Sequence, residues 1–110
     1  MGSLVSKQWL FLKDLTELLA FIKDNNLMAT GGELWRTREQ QSIYVKKGLS
    51  KTMNSLHLSR LAIDLNFFDS SGALIECPQM VGDFWEALSL QNEWGGNWQF
   101  HDSGHFQRNL

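Results

Sequence analysis

Apolar residues recur at helical spacing in the first quarter of the chain. They fall three or four positions apart, and charged residues such as Lys13 and Glu17 lie between them. This pattern predicts an amphipathic helix that ends near Asn25. The apolar positions are Phe11, Leu12, Leu15, Leu18, Leu19 and Ile22.

Two more helices are predicted from signals at their ends. Thr37 can cap a helix with its hydroxyl group while Gln40 occupies the third position of a capping box, and Gly48 is a favourable stop. The segment 49–55 is then predicted to be a loop. After Pro78 the helical spacing returns and predicts a third helix, with apolar positions at Val81, Phe84, Trp85 and Leu88.

The period of the pattern changes from Leu61 onwards. Apolar residues alternate with small or polar ones as far as Phe67, which predicts a half-buried strand. The residues at 69–72 predict a turn and those at 73–76 a returning strand, whereas 27–32 is long enough only for a short strand or loop. The chain is expected to close as strand and loop. We therefore predict an α+β fold in which helices pack on one side of a small antiparallel sheet.

Composition narrows the class of protein. A length of 110 residues suits a single domain over 1–110, and the net charge of −2 argues against nucleic acid as a partner. One cysteine, Cys77, permits neither an intrachain disulfide nor a cysteine-based metal site. Lys7, Lys13 and Asp14 interrupt the first apolar stretch, so no signal-peptide core is predicted. We expect a monomer made in a cytoplasm, with no stable membrane association.

Four polar residues near the predicted strands are candidates for a site. His57 precedes Asp64 by seven positions, and Asp102 and His105 lie close to the end of the chain. Asp64 is predicted to point away from the apolar face, and a turn at 59–60 would bring His57 beside it. Two imidazoles and a carboxylate without thiolates are typical of catalytic zinc. The spacing alone favours ordinary core or surface histidines, because no short motif such as HExxH is present.

Three segments, in order, resemble one known family. "SLHLSRLAIDL" at 55–65 resembles the Ser-x-His-x-x-Gly-x-Ala-x-Asp signature of the zinc D-alanyl-D-alanine carboxypeptidases and L-alanyl-D-glutamate endopeptidases, which include phage endolysins. "WGGNWQFHDSGHF" at 94–106 resembles the family's Trp-Gly-Gly-x-Trp followed by Asp-x-x-His-Phe. "WRTREQQ" at 35–41 resembles its Tyr-Arg-Ser/Thr-x-Glu-x-Gln segment. The resemblance implies the hedgehog-like α+β fold of these D-Ala-D-Ala peptidases.

Residue roles follow from the resemblance position by position. It implies that His57, Asp64 and His105 bind zinc. It also implies that Asp102 is the catalytic acid and base, and that Arg36 holds the carbonyl group of the substrate. Zinc is the only cofactor that the resemblance implies.

Other positions of the matching segments carry separate expectations. Arg60 stands where the family usually has glycine, and because glycine suits a positive φ, we expect a different local bend there. Ser55 is expected to support the loop that carries the first ligand. His101 is expected to be solvated and outside the metal shell. Trp94 and Trp98 are expected to pack in the core, with lining of a cleft as the alternative.

The resemblance implies a zinc peptidase that cuts peptidoglycan stem peptides between L-alanine and D-glutamate. Such an endolysin-like enzyme would act on the cell wall after release from the host cytoplasm. A D-alanyl-D-alanine carboxypeptidase is one alternative, and it would need a basic residue to hold the free carboxylate of the substrate. A zinc-stabilised binding domain without activity is the other. Asp102 and Arg36 argue against it, because a purely structural site needs neither.

Overall fold

Three helices and five strands follow one another in the computed structural model, which describes residues 3–50 and 52–110. Short 3-10 helices lie at Leu56–Ser59 and Gly95–Asn97. The predicted α+β class is confirmed. The elements are α1 (Leu4–Asp24), β1 (Met28–Gly31), α2 (Arg38–Lys46), β2 (Ala62–Phe68), β3 (Leu74–Ile75), α3 (Gln79–Leu88), β4 (Asn92–Trp94) and β5 (His105–Arg108).

Helix α1 forms where the apolar periodicity predicts it. The Ser3 hydroxyl caps its start by accepting a hydrogen bond from the Ser6 backbone N–H at 3.1 Å. Its buried stripe consists of Phe11, Leu15, Leu18 and Ile22. Leu12 and Leu19 are exposed, so this stripe is narrower than the sequence pattern suggests. Within the described residues, no helix is both long and apolar enough to cross a membrane.

Helix α2 begins and ends as predicted. The Thr37 hydroxyl accepts a hydrogen bond from the Gln40 backbone N–H at 3.0 Å, and Gly48 follows the helix with φ of 74°. The loop at 49–55 is also confirmed, except for Lys51, which lies outside the described residues. Gln41 is fully buried, and its amide holds this loop by donating to Ser50 Oγ at 2.8 Å and to the Thr52 carbonyl.

Strand β2 is the centre of a five-stranded antiparallel sheet. The strand order is β1-β2-β5-β4, and β3 pairs with the end of β2. Helices α1 and α3 supply the other half of the core, where the Trp85 ring meets the rings of Phe11 and Phe106 edge-on at 5.6 and 6.0 Å. Trp85 is fully buried, and its indole N–H is shared between the backbone carbonyls of Glu93 and Gln107. The core therefore joins α3 to both β4 and β5.

Candidate metal centre

Four polar side chains share the face of the sheet that points away from the core, namely those of Asp64, His105, Glu93 and Gln107. Side chains alternate along a strand, and these four alternate with buried core residues. Asp64 pairs directly with His105 across β2 and β5, and Glu93 pairs with Gln107 across β4 and β5. Directly opposite residues bring their Cβ atoms within about 5 Å. Strand register therefore assembles this polar face. The neighbouring residues along the strands, Leu65, Trp94 and Phe106, belong to the core.

His57 joins these residues from the 3-10 helix that precedes β2. The Ser55 hydroxyl caps that helix by accepting a hydrogen bond from the His57 backbone N–H at 3.2 Å. The His57 carbonyl accepts a hydrogen bond from the Arg36 backbone N–H at 3.2 Å. A turn at Arg60 then leads into β2 and brings His57 beside Asp64, as the predicted break at 59–60 allows.

Arg60 makes this turn in the left-handed conformation, with φ of 57° and ψ of 37°. The expectation of a different bend is therefore wrong, because the arginine adopts the conformation that glycine would favour. Left-handed backbone costs about 1–2 kcal/mol for a residue with a Cβ atom. The Arg60 guanidinium lies over the Trp35 ring at 4.8 Å, and this cation–π contact offsets part of that cost.

The side chains of His57, Asp64 and His105 converge on one point. His57 Nε2 lies 3.4 Å from Asp64 Oδ1, and His105 Nδ1 lies 3.3 Å from the same oxygen. One ligand atom from each residue lies within 4.8 Å of the others. Both imidazoles are buried, with 2% and 7% of their surface exposed. We call these three residues the His-Asp-His cluster.

Hydrogen bonds on the outer side of each imidazole decide which nitrogen faces the cluster with a lone pair. His57 Nδ1 lies 3.0 Å from the Leu34 carbonyl oxygen, which can only accept, so Nδ1 carries the proton. His105 Nε2 lies 2.8 Å from Gln107 Oε1 and carries the proton for the same reason. The neutral rings therefore turn a lone pair each toward Asp64. Three electron-pair donors that face one point fit a divalent cation, and this donor set is typical of catalytic zinc.

Asp64 is ionised at neutral pH. Burial opposes its charge, but positive charge on the neighbouring His105 and His57 rings, with the hydrogen bonds that the charged rings donate, outweighs burial and holds the pKa of Asp64 well below its usual range. In the neutral rings those nitrogens carry lone pairs, and a cation bound between them and Asp64 would stabilise the carboxylate in place of the protons of the charged rings. An ionised carboxylate is the form that a metal ligand requires.

A chain of hydrogen bonds leads outward from His105. Gln107 Nε2 donates to Asn109 Oδ1 at 2.7 Å, and Asn109 Nδ2 donates to Glu93 Oε1 at 2.8 Å. The second oxygen of Glu93 accepts the indole N–H of Trp98 at 3.2 Å. None of these three polar residues was predicted from the sequence, and for Glu93 and Gln107 the alternation with the core residues Trp94 and Phe106 was the only signal that could have placed them on this face.

Asp102 lies in the turn that precedes β5. Its backbone N–H donates to the Gly95 carbonyl at 2.9 Å, and its carbonyl accepts from the His105 backbone N–H at 3.1 Å. A Cβ atom at position 95 would lie 2.4 Å from the Asp102 carbonyl oxygen, so only glycine permits this close approach. Desolvation raises the pKa of Asp102 above its ordinary value although the side chain reaches solvent, while the charge of His105 opposes this shift.

Arg36 reaches the cluster from the segment before α2. Its Nε donates to Glu33 Oε1 at 2.5 Å, and its Nη1 donates to Gln41 Oε1 at 2.7 Å. Its Nη2 pairs with Glu33 and lies 3.9 Å from Asp64 Oδ2. The Tyr44 ring supports the guanidinium at 4.6 Å. These contacts fix a buried positive charge at the edge of the cluster.

Two clefts meet at the cluster. The α2 cleft has a volume of about 680 Å³, lies against the loop after α2, and is lined by Arg36 and Trp98 among others. The β3 cleft has a volume of about 600 Å³ and is lined by β3 and by Glu76. Among the described residues, Asp64 and Asp102 line both clefts, and no other residue does. The cluster therefore borders the α2 cleft through all three of its residues and the β3 cleft through Asp64.

The aromatic and histidine residues of segment 94–106 lie in different surroundings. Trp94 is buried, and its indole N–H donates to the Ser103 carbonyl at 2.8 Å, as expected for a core residue. Trp98 lines the α2 cleft and packs against the His105 ring at 4.9 Å, so the expectation of core packing is wrong for Trp98. His101 is exposed and paired with Glu76.

Comparisons with known proteins agree with the resemblance of the three segments. The chain is 35% identical over 99 residues to an L-alanyl-D-glutamate peptidase of Listeria phage A118, and the match covers 84% of this chain and 34% of that relative. The chain thus spans about a third of the length of that curated relative. Its fold is similar to that of a Serratia marcescens L-Ala D-Glu endopeptidase, with a TM-score of 0.62 and 24% identity over 88% of this chain and 79% of the other.

The family comparison covers more than half of the chain. The profile described as D-alanyl-D-alanine carboxypeptidase matches residues 48–108. This range includes the second and third of the three segments, at 55–65 and 94–106, whereas the segment at 35–41 precedes it. The family expected from the motifs is confirmed, and the chain belongs to the D-alanyl-D-alanine carboxypeptidase family.

Proposed function

We propose that the chain is a zinc peptidase that hydrolyses the L-alanyl-D-glutamate bond of peptidoglycan stem peptides. The observation that carries the proposal is a buried His-Asp-His cluster that opens on two clefts. The phage A118 relative is an L-alanyl-D-glutamate peptidase and the Serratia protein is an L-Ala D-Glu endopeptidase, so both are named for this bond. Peptidoglycan is then the partner of the chain, which would act on the cell wall after release from the host cytoplasm.

Zinc suits the cluster because its three donors are two neutral imidazoles and one ionised carboxylate. His57 Nε2, Asp64 Oδ1 and His105 Nδ1 would hold the ion. A zinc ion bound there would supply a Lewis acid that lowers the pKa of a water molecule to about 7. The Leu34 carbonyl and Gln107 would keep both imidazoles in the tautomers that ligation needs.

Asp102 is proposed as the general base and general acid. It borders both clefts, so its carboxylate would face a peptide that crosses the cluster from one cleft to the other. The carboxylate would accept a proton from the attacking water and pass it to the nitrogen of the leaving amine, the amino group of D-glutamate. The raised pKa of Asp102 suits a group that must take up a proton and release it.

Arg36 is proposed to bind the carbonyl oxygen of the scissile bond. Its Nη2 lies 3.9 Å from Asp64 Oδ2, so the guanidinium group is next to the cluster. The guanidinium is held by Glu33 and Gln41, so it needs little rearrangement when negative charge develops on the substrate oxygen. Preorganised donors of this kind stabilise the transition state more than the ground state.

The two clefts favour an endopeptidase over a carboxypeptidase. An endopeptidase has to accept peptide on both sides of the reacting bond, whereas a carboxypeptidase needs a closed end with a fixed cation for the terminal carboxylate. Among the described lining residues of the β3 cleft, the only basic side chain is His101, and it is already paired with Glu76. A buried Arg36 at the cluster likewise argues against a binding domain that uses zinc only for stability.

The test is a pair of synthetic stem peptides that begin with acetylated L-alanine and end in D-alanyl-D-alanine. One has a free carboxyl terminus and the other an amidated one. An endopeptidase should release acetyl-L-alanine from both peptides at similar rates, with a new D-glutamyl amino terminus visible by mass analysis. Release of D-alanine from the free peptide alone would instead establish a carboxypeptidase. If neither peptide is cleaved although zinc is bound, the result would favour a zinc-stabilised binding domain without activity.

A further inference from the structure

We propose that Gln107, Asn109 and Glu93 are positioning residues that hold His105 with its Nδ1 lone pair toward Asp64 and thereby set the affinity of the cluster for its metal ion. This inference rests on the metal site of the proposed function and concerns residues outside its three ligands. The three side chains form an unbroken series of hydrogen bonds of 2.8, 2.7 and 2.8 Å from His105 to Glu93.

Glu93 determines the direction of every hydrogen bond in this series. An ionised carboxylate can only accept, so Asn109 must turn its Nδ2 toward Glu93 and its Oδ1 toward Gln107. Gln107 then has to donate from Nε2 to that oxygen, which leaves its Oε1 facing His105. His105 in turn has to carry its proton on Nε2. The lone pair at Nδ1 is therefore a consequence of a charge three hydrogen bonds away.

The backbones that carry Glu93, Gln107 and Asn109 are held in place by the sheet and the core. The Glu93 and Gln107 backbones pair directly across β4 and β5, and both of their carbonyls accept from the buried Trp85 indole. The Asn109 backbone N–H donates to the Gln91 carbonyl at 2.7 Å. This anchoring means that the side chains need not be ordered when a metal ion binds.

Trp98 fixes the carboxylate from its other side. Its indole N–H donates to Glu93 Oε2 at 3.2 Å, and its ring packs against His105 at 4.9 Å between centroids. No lysine or arginine forms an ion pair with Glu93 in the part of the chain that the structure describes. The negative charge of Glu93 is thus available to polarise the two amides and, through them, the imidazole.

The experiment measures zinc affinity of the full chain by competition with a chromophoric chelator. Gln107→Leu removes the acceptor of the His105 proton and should weaken zinc binding by about 10- to 100-fold, the usual effect of losing a partner of a ligating histidine. Gln107→Glu keeps the acceptor for His105 but loses the donor to Asn109, so its zinc affinity should lie above that of Gln107→Leu. Glu93→Gln removes the charge that orders the series and should weaken binding less than Gln107→Leu does.

A double-mutant cycle distinguishes a connected series from general damage to the sheet. If Glu93 acts through Gln107, the change Glu93→Gln should have no further effect on zinc affinity in a Gln107→Leu background. A second readout needs no metal. The His105 Nε2 proton should be slow to exchange and visible by NMR in wild type, and should be lost from the spectrum in Gln107→Leu. The matched control is Gln91→Leu, an exposed glutamine whose side chain is not in the series; it should behave as wild type.

The outcomes separate this inference from the metal site itself. Wild type that binds no zinc would overturn both. Wild type that binds zinc, with Gln107→Leu equal to it in affinity, would overturn the positioning series and leave the metal site standing. Equal effects of Glu93→Gln in the two backgrounds would show that Glu93 acts independently of Gln107, which also contradicts the proposal.

Discussion

Asp64 and His105 face each other directly across the antiparallel pair β2 and β5, and Asp64 Oδ1 lies 3.3 Å from His105 Nδ1. Two proposed ligands thus belong to one rung of the sheet. His57 comes from the helix before β2, so its position depends on the turn at Arg60. A metal ion at this point would join the sheet to that helix, and ligation should therefore affect stability as well as activity.

Metal content is the first prediction. We expect one zinc ion per chain, and zinc at 100 times its dissociation constant should stabilise the fold by about 2.7 kcal/mol. Removal of zinc by a chelator should lower the melting temperature by roughly 10 °C for a domain of this size. Elemental analysis and thermal unfolding measure these effects. His57→Ala should lose zinc, whereas His101→Ala should retain it, and a metal-free wild type would contradict the assignment.

The role of Asp102 is tested by Asp102→Asn, which keeps the size of the side chain and removes the base. Hydrolysis of the L-alanyl-D-glutamate peptide should slow by about 10²- to 10⁴-fold, because a general base usually contributes that much. Zinc content and melting temperature should stay near wild type. Asp83→Asn on the surface of α3 is the matched control and should be fully active. Loss of zinc in Asp102→Asn would mean that Asp102 is a ligand.

Arg36→Lys tests whether the shape of the guanidinium matters. Lysine keeps the positive charge but cannot bond Glu33 and Gln41 while also reaching the substrate oxygen. We expect kcat/KM to fall by about 10²-fold, the scale for losing one transition-state donor. Zinc affinity should change little. Arg38→Lys, an exposed change two positions along, is the control, and an equally active Arg36→Lys enzyme would remove Arg36 from the mechanism.

Backbone strain at Arg60 gives a prediction about stability alone. Both Arg60→Ala and Arg60→Gly remove the contact with the Trp35 ring, but only glycine relieves the left-handed conformation. Arg60→Gly should therefore be more stable than Arg60→Ala by about 1 kcal/mol. At Glu17, an exposed position in the middle of α1, the order should reverse by about 1 kcal/mol, because glycine weakens the interior of a helix. Urea unfolding of the four variants measures both differences.

The elements of the fold could be predicted from the sequence because their signals are local. The apolar stripe from Phe11 to Ile22, the cap at Thr37 and the alternation that ends at Phe67 each act within a few residues, and α1, α2 and β2 form where these signals lie. The three motif segments also indicated the family. The resemblance of these segments also implied the ligands His57, Asp64 and His105, although the motifs themselves specify no contact between the three side chains.

Tertiary structure alone decided what depends on strand register and on long-range contacts. Register put Gln107 of β5 opposite Glu93 of β4, while the Leu34 carbonyl reached His57 from a segment more than twenty positions away. Neither contact has a local signal in the sequence, because an alternating polar residue looks the same in the sequence whether it faces water or a metal ligand. The position of Trp98 in the α2 cleft could not be predicted for a similar reason, since hydrophobicity predicts that a ring is buried but not the surface against which it packs. The sequence by itself determined the chemical groups and the elements that carry them, whereas packing of distant segments decided their tautomers, their orientation and the two clefts between which they lie.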